Sequence, residues 1–258
     1  MGRVIPFSEF ENYYQKIQKS PGFVPGTILD TNVIVSLTYD IKSNHDEVVE
    51  FVDLLQNHDF RTFATVTTKA EFLDFQRRLI MTEMLRDSLF SSSKLKLSQR
   101  AISAVQTVSG RLAQRERRGG DPVFNDADLK EIKSAFSAGS NSGKIGWLKL
   151  CDEVLLKRLP EAETILSDCG IEYVSQHDPS QTALFKSTIG WSDAVIISAK
   201  TCLGFSDAMI LNALQCSRFH FAVSTDFDLG YAALAGTEIK DVIMPDEVAK
   251  KYKALHFQ

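Results

Sequence analysis

The sequence predicts an α/β fold with a central parallel sheet of about five strands and an added helical block. Short apolar or β-branched runs alternate with helical patterns towards both ends of the chain, and helical periodicity alone occupies the middle. Strands that alternate with helices favour a parallel sheet with right-handed crossovers. The predicted strands are 27–30, 61–66, 171–175, 219–225 and 241–244.

The N-terminal part predicts two strands, each followed by an acidic residue. A leading helix is indicated by PFSEFENYYQKIQK, with Ser8 as its cap, and PGFVPG ends it. The run TILD then predicts a strand that ends at Asp30, TNVIVSLTYD a loop, and HDEVVEFVDLLQNH a helix. The strand at 61–66 leads through a threonine cap into a second helical pattern that contains Glu71.

The middle of the chain predicts a helical insertion or subdomain over residues 78–160. Its amphipathic stretches are RRLIMTEMLRDSLF, LSQRAISAVQTVSGRLAQRERR, DADLKEIKSAF and GWLKLCDEVLLKRL. After Pro160 the alternation of strands and helices returns. We therefore expect residues 1–77 and 161–258 to form one α/β core.

Composition narrows the class of protein. The chain has 258 residues, 44% of them hydrophobic, and its apolar runs are too short to cross a membrane. The N-terminus lacks the layout of a secretory signal, so we expect a cytosolic protein. Four scattered cysteines without a CxxC pair argue against structural zinc. A net charge of -4 means that nucleic acid would need a local basic patch or a bound cation.

Two of the predicted strands place acids at one edge of the sheet. Asp30 and Asp226 each follow a buried-strand pattern, and parallel strands end at the same edge, where ligands bind. Hard cations such as Mg²⁺ and Mn²⁺ prefer carboxylate oxygens together with substrate phosphate. Each acid alone is also explained as a helix cap or a solvated strand end.

Four segments in this order resemble the signature of PIN-domain nucleases. They are ILDTNVIVSL, TVTTKAEFLDF, FSDAMILNAL and FAVSTDFDLG, and together they cover roughly residues 26–78 and 165–245. The resemblance implies a three-layer α/β/α fold and a hydrolase that cleaves RNA to leave a 5′-phosphate and a 3′-hydroxyl. The compact toxin nucleases of toxin–antitoxin pairs lack an insertion as large as 78–160.

The resemblance also implies the roles of individual residues. Asp30, Asp207 and Asp226 would bind Mg²⁺ or Mn²⁺, and Glu71 would complete the acidic pocket. The metal would activate a water molecule for hydrolysis of the phosphodiester bond. The accessory residues are Asp228, together with Thr31, Asn32 and Thr225 as side chains that hold the carboxylates in position.

The tripeptide Ser-Asp-Ala occurs twice, at 192–194 and at 206–208, so Asp193 is the alternative to Asp207 as a metal ligand. The helix after Asp207 and the strand that returns to Asp226 have nearly equal lengths, so these two acids should meet at one edge. Asp193 begins the preceding helix and should lie on the order of 15 Å away. We interpret Ser192 and Asp193 as a helix cap.

The densest basic cluster is a candidate for contacts with nucleic acid. It comprises Arg111, Arg115, Arg117 and Arg118. The alternative is that these side chains serve the last turn of a helix through its dipole or form a solvated face.

Other functions stay open at the level of sequence. A non-catalytic PIN-like scaffold fits the same residues, and so does a nuclease that is silenced by an antitoxin-like protein. The sequence is also compatible with a homo-oligomer. It does not decide between RNA and DNA as the substrate. A phosphatase of the haloacid-dehalogenase type is disfavoured, because Asn32 stands where that family usually has its second acid.

Overall fold

The computed structural model describes residues 2–40, 42–90, 97–139, 143–235 and 239–254. The fold is α/β, with one all-parallel sheet flanked by helices. Its strands are β1 (Val4–Pro6), β2 (Gly26–Leu29), β3 (Arg61–Ala64), β4 (Ile171–Tyr173), β5 (Phe221–Val223) and β6 (Asp241–Met244). The order across the sheet is β1-β6-β5-β2-β3-β4. The chain therefore turns from one half of the sheet to the other between β2 and β5, the position where open α/β sheets bind ligands.

The predicted parallel sheet is confirmed, but it has six strands instead of about five. The additional strand, β1, has three residues, ends in a proline and pairs only with β6 at the edge of the sheet. Arg3 holds this edge, because its backbone N–H and its guanidinium both donate to the carboxylate of Asp241. A strand this short carries too few residues for a periodic pattern.

The α-helices of the described structure are α1 (Phe10–Ile17), α2 (Thr31–Thr38), α3 (His45–Asn57), α4 (Val66–Asp87), α5 (Gln99–Glu116), α6 (Asp126–Gly139), α7 (Gly143–Asp168), α8 (Trp191–Thr201), α9 (Phe205–Cys216), α10 (Phe227–Ala235) and α11 (Asp246–Lys250). They differ from the predicted pattern at two places near the N-terminus. The prediction of Ser8 as the first cap was wrong, because Glu9 occupies that position in α1. The predicted loop after Asp30 is α2, a helix that buries Val33, Ile34 and Val35.

Helices pack on both faces of the sheet. Ile28, Phe63, Ala222 and Val242 lie level with one another on neighbouring strands and share one hydrophobic cluster with α9. Phe221 points to the other face, since side chains alternate along a strand. Its ring lies 5.8 Å from the rings of both Phe10 and Tyr13 in α1.

The chain divides into two compact units, Met1–Phe72 with Ile165–Gln258 and Leu73–Thr164. Among its described residues the second unit contains helices and no strand, and Leu85, Val108, Phe124 and Ile132 belong to its core. The predicted limits of this block, 78 and 160, fall inside α4 and α7, which continue across them. Strand alternation does not resume directly after Pro160 as expected, because α7 extends to Asp168 with Ala162 and Leu166 buried.

Within the described residues, no single helix has both the length and the apolar character needed to cross a membrane. Helices α8 and α9 reach that threshold only when taken together, and they are bent by 117° relative to each other.

Candidate active site

Asp30 lies at the centre of the candidate site, at the carboxyl end of β2. Its backbone N–H donates to the carbonyl of Val223, which joins the ends of β2 and β5. Its carboxylate caps α2 by accepting from the backbone N–H of Thr31 at 2.6 Å. The residue is only 2% exposed. The bond to Val223 and the cap of α2 thus hold the Asp30 carboxyl group inside the protein, at the switch point between β2 and β5.

Asp226 reaches the same edge from β5 and is joined to Asp30 through Ser224. The Ser224 hydroxyl donates to Oδ2 of Asp30 at 2.7 Å and accepts from the backbone N–H of Asp226 at 2.9 Å. Sequence reasoning missed Ser224 and proposed its neighbour Thr225. The signal was present, because a serine whose hydroxyl accepts from the residue two positions later forms a common turn.

Asp207 and Glu71 come from the N-terminal parts of two helices, α9 and α4. Asp207 is the third residue of α9, which begins after Gly204. Glu71 lies in the second turn of α4, within the predicted helical pattern and not directly at the end of β3. Its Oε2 accepts from the Thr31 hydroxyl at 2.5 Å, which turns this carboxylate towards the residue that follows Asp30.

Burial and mutual repulsion dominate the electrostatics of these acids. Burial raises the pKa of Asp30 to about 7, the hydrogen bond from Ser224 opposes the rise, and the charges of Asp207 and Asp226 add to it. Burial likewise raises the pKa of Asp207 to about 6, with contributions from Asp226, Glu71 and Asp228. Carboxyl groups from separate parts of the chain are therefore close enough to resist ionisation together.

The accessory residues are placed unequally around the acids. Asp228 is exposed, contributes to the charge felt by Asp207, and donates its backbone N–H to Oδ1 of Asp226 at 2.8 Å. Asn32 is exposed and Thr225 half-buried. Neither side chain forms a hydrogen bond with the four acids in the part of the chain that the structure describes. Of the three predicted holding residues, Thr31 is the one that bonds to an acid, Glu71, and Ser224 adds a bond to Asp30.

Asp193 lies at a different place from Asp207. It is in the first turn of α8 and lines a cavity of about 900 Å³ together with Asn212, Cys216 and Lys240. Lys240 immediately precedes β6, so this cavity is at the amino edge of the sheet. The interpretation of Ser192 and Asp193 as a cap was wrong, because Gly190 occupies that position and no side chain caps the helix.

The carboxylate oxygens of these acids are suitable ligands for a divalent cation, but the acids are not arranged as a complete coordination site. Within the described residues, no group of three His, Cys, Asp or Glu side chains is already arranged around one point to hold an ion. Close carboxylates repel one another without a cation, and both oxygens of Asp30 accept hydrogen bonds. Oxygen donors with excess negative charge are the ligands that Mg²⁺ and Mn²⁺ select.

The arginines of the predicted basic cluster belong to the helical unit. Two of them form ion pairs with carboxylates, and the other two are exposed. Arg111 bonds to Glu131 at 2.5 Å, and Arg115 bonds at 2.5 Å to Asp128, whose side chain is only 4% exposed. Arg117 and Arg118 are exposed, and among the described residues no carboxylate pairs with them. Two of the four arginines predicted to contact nucleic acid therefore form ion pairs within the protein.

Comparisons of the chain with models of protein families, with curated proteins and with solved structures found no match.

Proposed function

We propose that this protein is a divalent-metal-dependent nuclease of the PIN-domain type, with RNA as its main substrate and internal phosphodiester bonds as its target. The four motifs that resemble that family supply Asp30, Glu71, Asp207 and Asp226. An all-parallel sheet with helices packed on both faces is what a three-layer α/β/α nuclease requires.

The observation that carries the proposal is the meeting of Asp30, Asp207 and Asp226 at the switch point of the sheet. The three residues come from the end of β2, the start of α9 and the end of β5, up to 196 positions apart in sequence. The charges that raise the pKa of Asp30 are those of the other two. A fold that only needed caps or solvated acids would gain nothing from this arrangement, because it makes each group harder to ionise.

Each side chain has a role that follows from its contacts. When bound, a divalent cation supplies Lewis acidity, which makes water a better nucleophile and offsets the charge of the scissile phosphate. Asp30, Asp207 and Asp226 provide the oxygen atoms that would hold it. Ser224 and Thr31 fix the orientation of the carboxylates, as supporting residues do around metal sites.

Sequencing the ends of cleaved nucleic acid tests the proposal. The protein is incubated with a mixed pool of RNA and DNA oligonucleotides and Mn²⁺, alongside the Asp30→Asn variant, which keeps the side-chain volume. We expect internal cuts in RNA with 5′-phosphate and 3′-hydroxyl ends from the wild-type protein, and none from the variant. Intact pools with both proteins would support a non-catalytic scaffold, and equal cutting by both would remove Asp30 from the reaction. Cuts confined to DNA would change the substrate.

A further inference from the structure

An aromatic side chain stands at the carboxyl edge of the sheet, close to the acids. Tyr173 is the last residue of β4 and is 45% exposed. It pairs with Ala64 of β3, and the preceding pair, Glu172 with Phe63, lies level with Ile28, so continuation of this register places Ala64 beside Leu29, the residue before Asp30. Neighbouring strands lie about 4.8 Å apart, so the backbone of Tyr173 is roughly 10 Å from that of Leu29.

The backbone around Tyr173 is held on both sides. The carboxamide of Gln181 donates to the carbonyl of Tyr173 at 2.9 Å and accepts from the N–H of Ser175 at 2.8 Å. Val174 donates to the carbonyl of Ala64 at 3.0 Å. The backbone that carries the exposed ring is therefore held in place before any ligand arrives, which lowers the entropy lost on binding.

A cation accompanies the ring. The ammonium nitrogen of Lys69 lies 5.6 Å from the centre of the Tyr173 ring. Lys69 is in the first turn of α4, two residues before Glu71, whose carboxylate accepts from Thr31 beside Asp30. The start of α4 thus directs its cation towards β4 and its acid towards β2.

We infer that Tyr173 and Lys69 form a subsite for one nucleotide of single-stranded nucleic acid. An unpaired base stacks on the Tyr173 ring, and its phosphate contacts the Lys69 ammonium. Aromatic faces and basic side chains are how proteins bind single strands without reading sequence, and a paired base offers no free face. The inference rests on the proposed function, because it places this nucleotide within a few positions of the phosphate that is cleaved at the acids.

Fluorescence anisotropy with labelled single-stranded RNA in EDTA tests the subsite without cleavage. We expect Tyr173→Ala to weaken binding roughly tenfold or more, Tyr173→Phe to retain it, and neither to alter the weak binding of duplex RNA. Lys69→Gln should weaken binding and reduce the slope of log affinity against log salt by about 0.7. Trp191→Ala is the matched control, since Trp191 is also exposed in this unit and begins α8, away from the acids.

The outcomes separate the subsite from the reaction. Wild-type affinity in Tyr173→Ala, an equal loss in Trp191→Ala, or no binding of single strands by the wild-type protein would each overturn the subsite. Selective loss in Tyr173→Ala without any cleavage by the wild-type protein in Mn²⁺ would support the subsite and reject the nuclease. Circular dichroism spectra that match the wild type show that each variant is folded.

Discussion

The hydroxyl of Ser224 lies 2.7 Å from Oδ2 of Asp30 and connects the carboxyl ends of β5 and β2. The same oxygen accepts from the backbone N–H of Asp226, so one side chain positions two of the proposed metal ligands. Removal of a residue that orients a ligand commonly weakens metal affinity 10- to 100-fold.

We therefore expect Ser224→Ala to lower the affinity for Mn²⁺ by about one to two orders of magnitude while the protein stays folded. Isothermal titration calorimetry measures the affinity, and Thr225→Ala is the control, because the Thr225 side chain forms no hydrogen bond with the four acids in the described structure. Equal affinities in Ser224→Ala and wild-type protein would show that the bridge does not position the ligands.

The stability of the metal-free protein should fall as the pH rises from about 4 to about 7. The folded-state pKa values of Asp30 and Asp207, about 7 and about 6, lie above the ordinary value of 3.8. The folded state therefore binds more protons than the unfolded state in this range, and its stabilisation is lost as pH rises through the raised pKa values. We expect a loss on the order of 2 kcal/mol between pH 5 and pH 8, after allowance for solvent screening at the half-buried Asp207.

Urea denaturation in EDTA at both pH values measures this loss. In the Asp30→Asn variant the decrease should be smaller, and at pH 8 the variant should be more stable than the wild-type protein. Mn²⁺ should stabilise the wild-type protein most at the higher pH, where the carboxylates are ionised. A variant that loses as much stability as the wild-type protein would contradict the assigned pKa of Asp30.

Arg115 should matter for stability, whereas its neighbour Arg117 should not. Asp128 is buried and accepts from Arg115 at 2.5 Å, from Arg111 at 3.4 Å and from the backbone N–H of Asn125, so Arg115→Ala removes the closer of its two cations. We expect a decrease of about 1.5–3 kcal/mol in the free energy of unfolding. Arg117→Ala should change it by less than about 0.5 kcal/mol. Urea denaturation that ranked the two variants in the reverse order would contradict the ion-pair assignment.

Lys240 should stabilise the link between α9 and β5, the two elements that position Asp207 and Asp226. Its ammonium donates to three carbonyls, that of Leu214 in the last turn of α9 and those of Ser217 and Phe219 in the link to β5. Lys240→Met leaves these acceptors without that donor, and we expect a loss of about 1–3 kcal/mol. Lys19→Met is the control, because Lys19 is exposed. Thermal unfolding that shows the same midpoint for both variants would rule out this role.

The sequence was sufficient to predict five of the six described strands and the acids that follow two of them. Asp30 and Asp226 each follow a short apolar run, a pattern typical of strands that are buried on both faces of a parallel sheet. Their order along the chain, with helices between, determines that they emerge at one edge. That part of the prediction depended on pattern and topology alone.

Features that depend on tertiary contacts were not predictable in the same way. The run after Asp30 is rich in β-branched residues, yet it forms α2, because Asp30 caps it and the core buries its apolar side chains. The continuation of α7 past Pro160 likewise follows from burial of Leu166 and not from local propensity. Whether Arg115 meets solvent or Asp128 depends on how α5 packs on α6, which no pattern in the sequence specifies.

The measurement that tests the central claim most directly is a Mn²⁺ titration of Asp207→Asn beside Asp193→Asn. The two aspartates occupy the same position in successive helices and share the SDA tripeptide, but only Asp207 lies among the acids at the carboxyl edge. The substitutions are therefore matched in chemistry and in local structure.

We predict that Asp193→Asn binds Mn²⁺ and cleaves RNA like the wild-type protein, whereas Asp207→Asn loses both the calorimetric signal and almost all cleavage. Unchanged Mn²⁺ binding and cleavage in Asp207→Asn, or their loss in Asp193→Asn alone, would contradict the claim that the acids at the switch point form the metal site.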